Sequence, residues 1–200
     1  MKDWTGNRKS TFVILGASSH SDNERAESDY YATEPKAVEE LLKVEKFDSV
    51  IWECACGGGH ISEVLKQHGY DVFSTDITNR GYKGQNTECD FLKIQTHWHG
   101  DIITNPPYKY AKEFVEKALS LIGDGSKVAM LLRIQFLEGA KRGKLLDEYP
   151  PKRVYVARKR LTCAKNGDPK IFNASSATCY AWFVWEKGYN GKTTIDYINR

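Results

Sequence analysis

Three short stretches of this 200-residue chain place side chains in patterns that could do chemistry. Asn105-Pro106-Pro107-Tyr108 is the sharpest of them. Two consecutive prolines fix the backbone and remove two N–H donors, so the segment presents carbonyl acceptors in a stiff frame. Asn105 adds a side-chain carbonyl and Tyr108 a flat face. That set suits a planar, conjugated –NH2 whose two hydrogens are accepted while its ring stacks on the tyrosine, although a bare strand exit with a surface tyrosine uses the same residues. The second stretch is Glu53-Cys54-Ala55-Cys56-Gly57-Gly58-Gly59-His60. A glycine-rich turn lets backbone approach a ligand and exposes N–H groups at a helix start; the alternative is a plain tight turn. It lacks the Gly-Lys-Ser/Thr ending of a triphosphate loop, and the carboxylate of Glu53 favours a cationic or hydroxylated ligand over pyrophosphate. The third is Asp76, twenty-three positions after Glu53. That spacing suits an acid accepting from ribose hydroxyls, and capping a turn is the other use of an aspartate there.

Elements that hold these residues follow from the apolar pattern. Thr33 is expected to cap a helix beginning near Glu34 and Pro35, with Val38, Leu41 and Leu42 on its apolar face. Ser49 to Cys54 reads as a short apolar strand, followed by the glycine turn and a helix from about His60 to His68 that Gly69 stops. Strands are expected at Asp71 to Asp76, near Cys89, at Asp101 to Thr104 and at Lys127 to Arg133. Amphipathic helices are expected at about Lys109 to Ile122 and Phe136 to Glu148, and Arg153 to Ala157 pairs with Thr178 to Glu186 across a long basic loop. Strand–helix alternation predicts an α/β fold with a mostly parallel sheet, helices on both faces and an antiparallel edge. Ligands of such sheets bind beyond the carboxyl ends of the strands, where all three stretches fall. Residues 1–28 read as an extended arm whose Phe12 to Leu15 strip docks on a body spanning 29–200.

Composition narrows the function classes. Hydrophobic residues make up 40% of the chain and charged residues 28%, enough for a packed core and against general disorder. The net charge is only +3, but segment 133–170 carries eleven Lys and Arg against four Asp and Glu, leaving the remainder at −4. One basic region on a nearly neutral protein suits a polyanionic partner. No apolar run is long enough to span a bilayer, and the N-terminus lacks a signal pattern. Five cysteines, an odd number, read as free thiols in a reducing cytoplasm. Cys54 and Cys56 without a second pair do not make a zinc site, so no metal is expected.

Taken together, these stretches resemble the S-adenosylmethionine-dependent N6-adenine DNA methyltransferases with γ-type motif order, and among them the small phage- and prophage-encoded enzymes. Asp29-Tyr30-Tyr31-Ala32-Thr33-Glu34-Pro35 looks like the upstream segment over the methionine end of the cofactor, and Asp90-Phe91 like the pair that meets its adenine ring. The match runs from about Asp29 to Lys187. It implies a Rossmann-like class I methyltransferase fold with a seven-stranded sheet. It also implies a cofactor site formed by Tyr31, Thr33, Pro35, Glu53, Cys54, Ala55, Cys56, Gly57, Asp76, Ile77, Asp90, Phe91 and Asn105, and a catalytic motif of Asn105, Pro106, Pro107 and Tyr108.

The implied reaction is methyl transfer to adenine N6 in DNA, with the target base flipped out of the duplex. Arg158, Lys159, Arg160 and Lys165 are candidates for phosphate contacts. Phe172 either faces the base opposite Tyr108 or anchors its loop. The alternatives are a methyltransferase of RNA base amines or protein glutamine, and an inactive cofactor-binding protein. Relatives of this order usually carry a separate recognition domain, for which the sequence leaves no room. Short or relaxed specificity set by residues 77–100 and 134–177 is therefore expected, in a monomer or shared across a homodimer.

Overall fold

The central strands form around short runs of buried, mostly apolar residues, and the helices between them turn one apolar stripe toward those strands. The computed structural model describes residues 30–168, 172 and 178–199. The expected arm over 1–28 lies outside the described residues. Along the described chain run β1 (Tyr31–Thr33), α1 (Pro35–Leu42), β2 (Val50–Glu53), α2 (His60–Gln67), β3 (Asp71–Asp76), β4 (Thr87–Glu88) and β5 (Asp101–Thr104). They are followed by α3 (Ala111–Leu121), β6 (Lys127–Arg133), α4 (Ala140–Glu148), β7 (Arg153–Ala157), β8 (Cys163–Lys165), β9 (Tyr180–Glu186) and β10 (Thr194–Ile198).

The main sheet has the order β10-β7-β9-β6-β5-β2-β3-β4. Neighbours are parallel except where β9 runs antiparallel to both β6 and β7. This is the expected α/β architecture with two differences. The sheet has eight strands rather than seven, and the antiparallel strand β9 lies two places inside the edge, because β7 and then β10 stand beyond it. Four of the five β10 residues are exposed, so like the short β4 it lacks the buried run that marks the central strands. Two apolar clusters lie on the two faces of the sheet. One holds Val38 and Leu41 of α1 with Val64 and Leu65 of α2, the other Phe114 and Val115 of α3 with Leu145 of α4. Trp182 and Trp185, three apart on β9, fall in different clusters, as strand alternation requires.

The expected basic loop after β7 is not all loop. Within it, β8 pairs antiparallel with β1 to form a separate two-stranded ribbon, with Tyr31 opposite Lys165 and Thr33 opposite Cys163. Glu34, not Thr33, occupies the cap position of α1, with Pro35 at its first turn. Among the described residues, no helix is long and apolar enough to cross a membrane.

Candidate active site

The carboxyl ends of β2, β3 and β5 and strand β1 surround a cavity of about 780 Å³. Of the residues singled out in the sequence, Tyr31, Thr33, Glu53, Cys54, Ala55, Cys56, Asp76, Ile77, Asp90, Phe91, Asn105 and Pro107 line it. Pro35, Gly57, Pro106 and Tyr108 do not. Nor do Arg158, Lys159, Arg160, Lys165 and Phe172.

The glycine turn serves the fold more than the sequence suggests. Gly57 and Gly59 have φ of 52° and 82°, where a side chain is strained. A Cβ on Gly57 would run into the Tyr30 ring, and one on Gly59 into Tyr82. The N–H groups expected to face a ligand are used inside the protein. Cys56 donates to the Thr75 carbonyl (2.9 Å), Gly57 to Asp76 Oδ2 (2.9 Å), Gly58 to Tyr30 Oη (3.0 Å) and Gly59 to the Cys56 carbonyl (2.7 Å). The turn is therefore no cradle for an anion. Asp76, 7% exposed, ties the turn to the exit of β3, its other oxygen accepting from the Thr78 N–H at 3.0 Å. Asp90 caps a 3-10 turn at Phe91–Lys93 through the Leu92 N–H, and Phe91 is buried against Trp52 and Phe114.

Two buried polar groups in the wall are incompletely paired. Glu53 Oε1 accepts from the Thr104 hydroxyl at 2.6 Å, while Oε2 is buried without a partner. Burial pushes this carboxyl up to about 8, so it holds its proton at neutral pH. Asn105 Nδ2 donates to the Tyr31 carbonyl and to Thr33 Oγ1, each at 3.0 Å. The carbonyl can only accept, so the amide's orientation is set, and Asn105 Oδ1 is left buried with no partner. Thr33 is thus a buttress for Asn105 rather than a helix cap.

Tyr108 differs from expectation. Its ring packs on Tyr31 (5.4 Å) and Tyr180 (5.8 Å), the Arg133 guanidinium lies over it at 4.9 Å, and burial beside Cys163 and Tyr180 pushes its phenol well up. Protein groups cover the face expected to stack a base. The basic residues stand apart as well. Arg158 lies over Tyr197 of β10 at 4.9 Å, Lys159 exchanges backbone hydrogen bonds with the Asn199 side chain, Arg160 meets the Cys179 sulfur and Lys165 stands on β8. Phe172 meets the His60 ring edge-on at 5.6 Å, at the start of α2.

Tyr30, named in the sequence only as part of the Asp29 to Pro35 segment, lines the cavity, as do Arg80, Lys109 and Tyr110, to which the sequence assigns no site role. Arg80 stacks on Tyr30 at 4.4 Å with its Nε buried and unpartnered. The local signal for Arg80 is its nearness to Asp76.

No protein-family model matches the chain, and no curated protein matches its sequence. Its shape does have neighbours. A predicted O-methyltransferase from Agrobacterium tumefaciens is 13% identical and superposes with a TM-score of 0.57, over 82% of this chain and 85% of that one. A candidate RNA methyltransferase from Pyrococcus horikoshii is 14% identical with a TM-score of 0.55, over 90% and 99%. A candidate class I S-adenosylmethionine-dependent methyltransferase from Listeria monocytogenes is 10% identical with a TM-score of 0.54, over 94% and 70%. Strand order, the antiparallel β9 and these superpositions agree: the chain has the Rossmann-like fold of the class I methyltransferases.

Proposed function

We propose that this protein transfers a methyl group from S-adenosylmethionine to the N6 amine of adenine in DNA. The observation that carries the reading is Asn105 Oδ1, a buried acceptor without a partner in a cavity wall, held by an amide whose nitrogen is already committed. The cavity fits the cofactor by its donor set. Its volume is that of a nucleoside-sized pocket, its glycine-turn amides offer nothing to a phosphate, and Glu53, Asp76 and Asp90 offer carboxyl groups to hydroxyls and an ammonium. Ile77, 63% exposed at its wall, offers an apolar surface to a flat ring.

When bound, S-adenosylmethionine supplies a methyl carbon attached to a positively charged sulfur. The protein's part is to prepare the acceptor. An exocyclic amine is a poor nucleophile because its lone pair is delocalised into the ring. Asn105 Oδ1 and the Pro106 carbonyl accept its two hydrogens and turn the lone pair out of conjugation, with Pro106 and Pro107 keeping that frame rigid. Tyr108 stacks the base once its ring is uncovered. A nucleic acid rather than a protein is favoured as substrate by the basic segment 133–170 on an otherwise acidic chain, and DNA over RNA by the resemblance of the motif set. A label-transfer assay with duplex DNA, RNA and protein tests the reading. Label in DNA adenine that disappears in Asn105→Ala is expected; label in RNA or protein alone overturns the substrate, and wild-type rates in Asn105→Ala overturn the site.

A further inference from the structure

Arg133 ends β6, the neighbour of β5, whose exit carries Asn105 to Tyr108. Three groups cover the Tyr108 ring. Tyr180 is buried on β9 opposite Arg133, and Tyr31 is half-buried on β1. Arg133 alone reaches the ring from an exposed position, with its guanidinium 4.9 Å from the centroid. Among the described residues none of the ion pairs uses it. A planar guanidinium fits an aromatic face as a flat base does, holds it only weakly at an exposed site, and suits phosphate better than any other side chain.

We infer that Arg133 is a positioning residue that covers Tyr108 in the free protein and moves to a phosphate beside the target nucleotide when the base takes the ring. This rests on the methyltransferase reading above and adds the anion contact that holds the target. The base and the guanidinium cannot both occupy the ring, so stacking displaces Arg133. In the transfer the sulfur–methyl bond breaks as the nitrogen–carbon bond forms: the positive charge passes from sulfur to the amine nitrogen, the demethylated thioether leaves, and the nitrogen then loses a proton to water. Carried to a phosphate, the same cation stabilises the flipped nucleotide instead.

The experiment measures methyl transfer to a DNA duplex by the full-length protein across a salt series, in wild type, Arg133→Lys and Arg133→Ala. Arg133→Ala should raise KM for DNA about tenfold with kcat within about twofold, and should reduce the slope of log kcat/KM against log salt by about one. Arg133→Lys should restore the slope, because the charge remains. A salt slope in Arg133→Ala equal to wild type, or a loss confined to kcat, would show that Arg133 merely props Tyr108. Failure of the wild type to label any nucleic acid would overturn the substrate reading and this inference together, whereas a normal wild type with an unaltered Arg133→Ala overturns this inference alone.

Discussion

At the amino end of the sheet, Asp101 accepts from the backbone N–H of Asp48 at 2.7 Å and of Lys127 at 2.6 Å. Beside it Glu45, 6% exposed, takes Lys127 Nζ at 2.6 Å, Tyr155 Oη at 2.8 Å and Arg153 at 3.2 Å. At the carboxyl end, Glu53 Oε2, Asn105 Oδ1 and Arg80 Nε are buried without a partner, and all three residues line the cavity. Each such vacancy costs about 1–3 kcal/mol relative to a satisfied group. One end of the sheet therefore spends its buried polar groups on holding strands together. The other keeps hydrogen-bonding capacity in reserve, where a ligand can use it.

Removing the reserved acceptor should have the largest effect. Asn105→Ala is expected to lower the methyl-transfer rate by about 10²–10³-fold, the scale for one preorganised polar group at a reacting centre. Its folding stability should fall by only about 1 kcal/mol, because the Tyr31 carbonyl and Thr33 lose a donor. A single-turnover rate set beside a urea unfolding curve separates the two, and a stability loss that accounts for the whole rate defect would erase the contrast between the ends.

Next in size is pH, where the two ends carry opposite signs. Burial raises Glu53 from 4.5 to about 8, so between those values the unfolded chain has lost a proton that the folded chain keeps. The unfolded state binds fewer protons, and stability falls as pH rises through this window. Burial also pushes Glu45 up, but hydrogen bonds from Lys127 and Tyr155 and the charges of Lys127 and Arg153 outweigh it and hold the carboxyl below its usual range. Its contribution is present above the unfolded value and is lost as pH falls through the folded one. Unfolding curves from pH 4 to 9 should therefore show wild type losing stability relative to Glu53→Gln as pH rises. Relative to Glu45→Gln it should gain with pH at the acidic end. Parallel curves for all three proteins would mean that neither carboxyl is perturbed by the fold.

Glu45→Ala follows. It leaves Lys127 and Arg153 without their carboxylate and should cost about 2 kcal/mol, less than a fully buried pair because both cations are part-exposed. kcat and KM should not move.

What the sequence made legible was local. The glycine turn, Asp76 and Asn105-Pro106-Pro107-Tyr108 are contiguous strings at strand exits, and apolar runs located β2, β3, β5, β6, β7 and β9. What it hid depends on distant pairing. β8 exists because Cys163–Lys165 lies against Tyr31–Thr33, about 130 positions away, and nothing in Cys-Ala-Lys announces a strand. β10 has no buried face to reveal it. The same reasoning explains why the contacts of Tyr30, Arg80 and Arg133 are not legible in the sequence. Each acts on an aromatic ring or a turn supplied by another element, and a lone Tyr or Arg carries no spacing. Asp76 shows the converse case, a residue correctly placed at the cavity whose oxygens the fold also uses.

The smallest effect tests the same contrast with apolar rather than polar surface. Ile77 is 63% exposed at the cavity wall, and Val44 is 43% exposed at the amino end, where its carbonyl faces Tyr155. Replacing either with Ser should change folding stability little, since both side chains already face water. A flat ligand ring that covers Ile77 removes apolar area from water that Ser cannot supply. Ile77→Ser should therefore weaken S-adenosylmethionine binding by about three- to tenfold, while Val44→Ser leaves it unchanged. Calorimetric titration of both variants reads this directly. Equal affinities would mean that the ligand does not lie on Ile77, and that its exposure is no more informative than that of Val44.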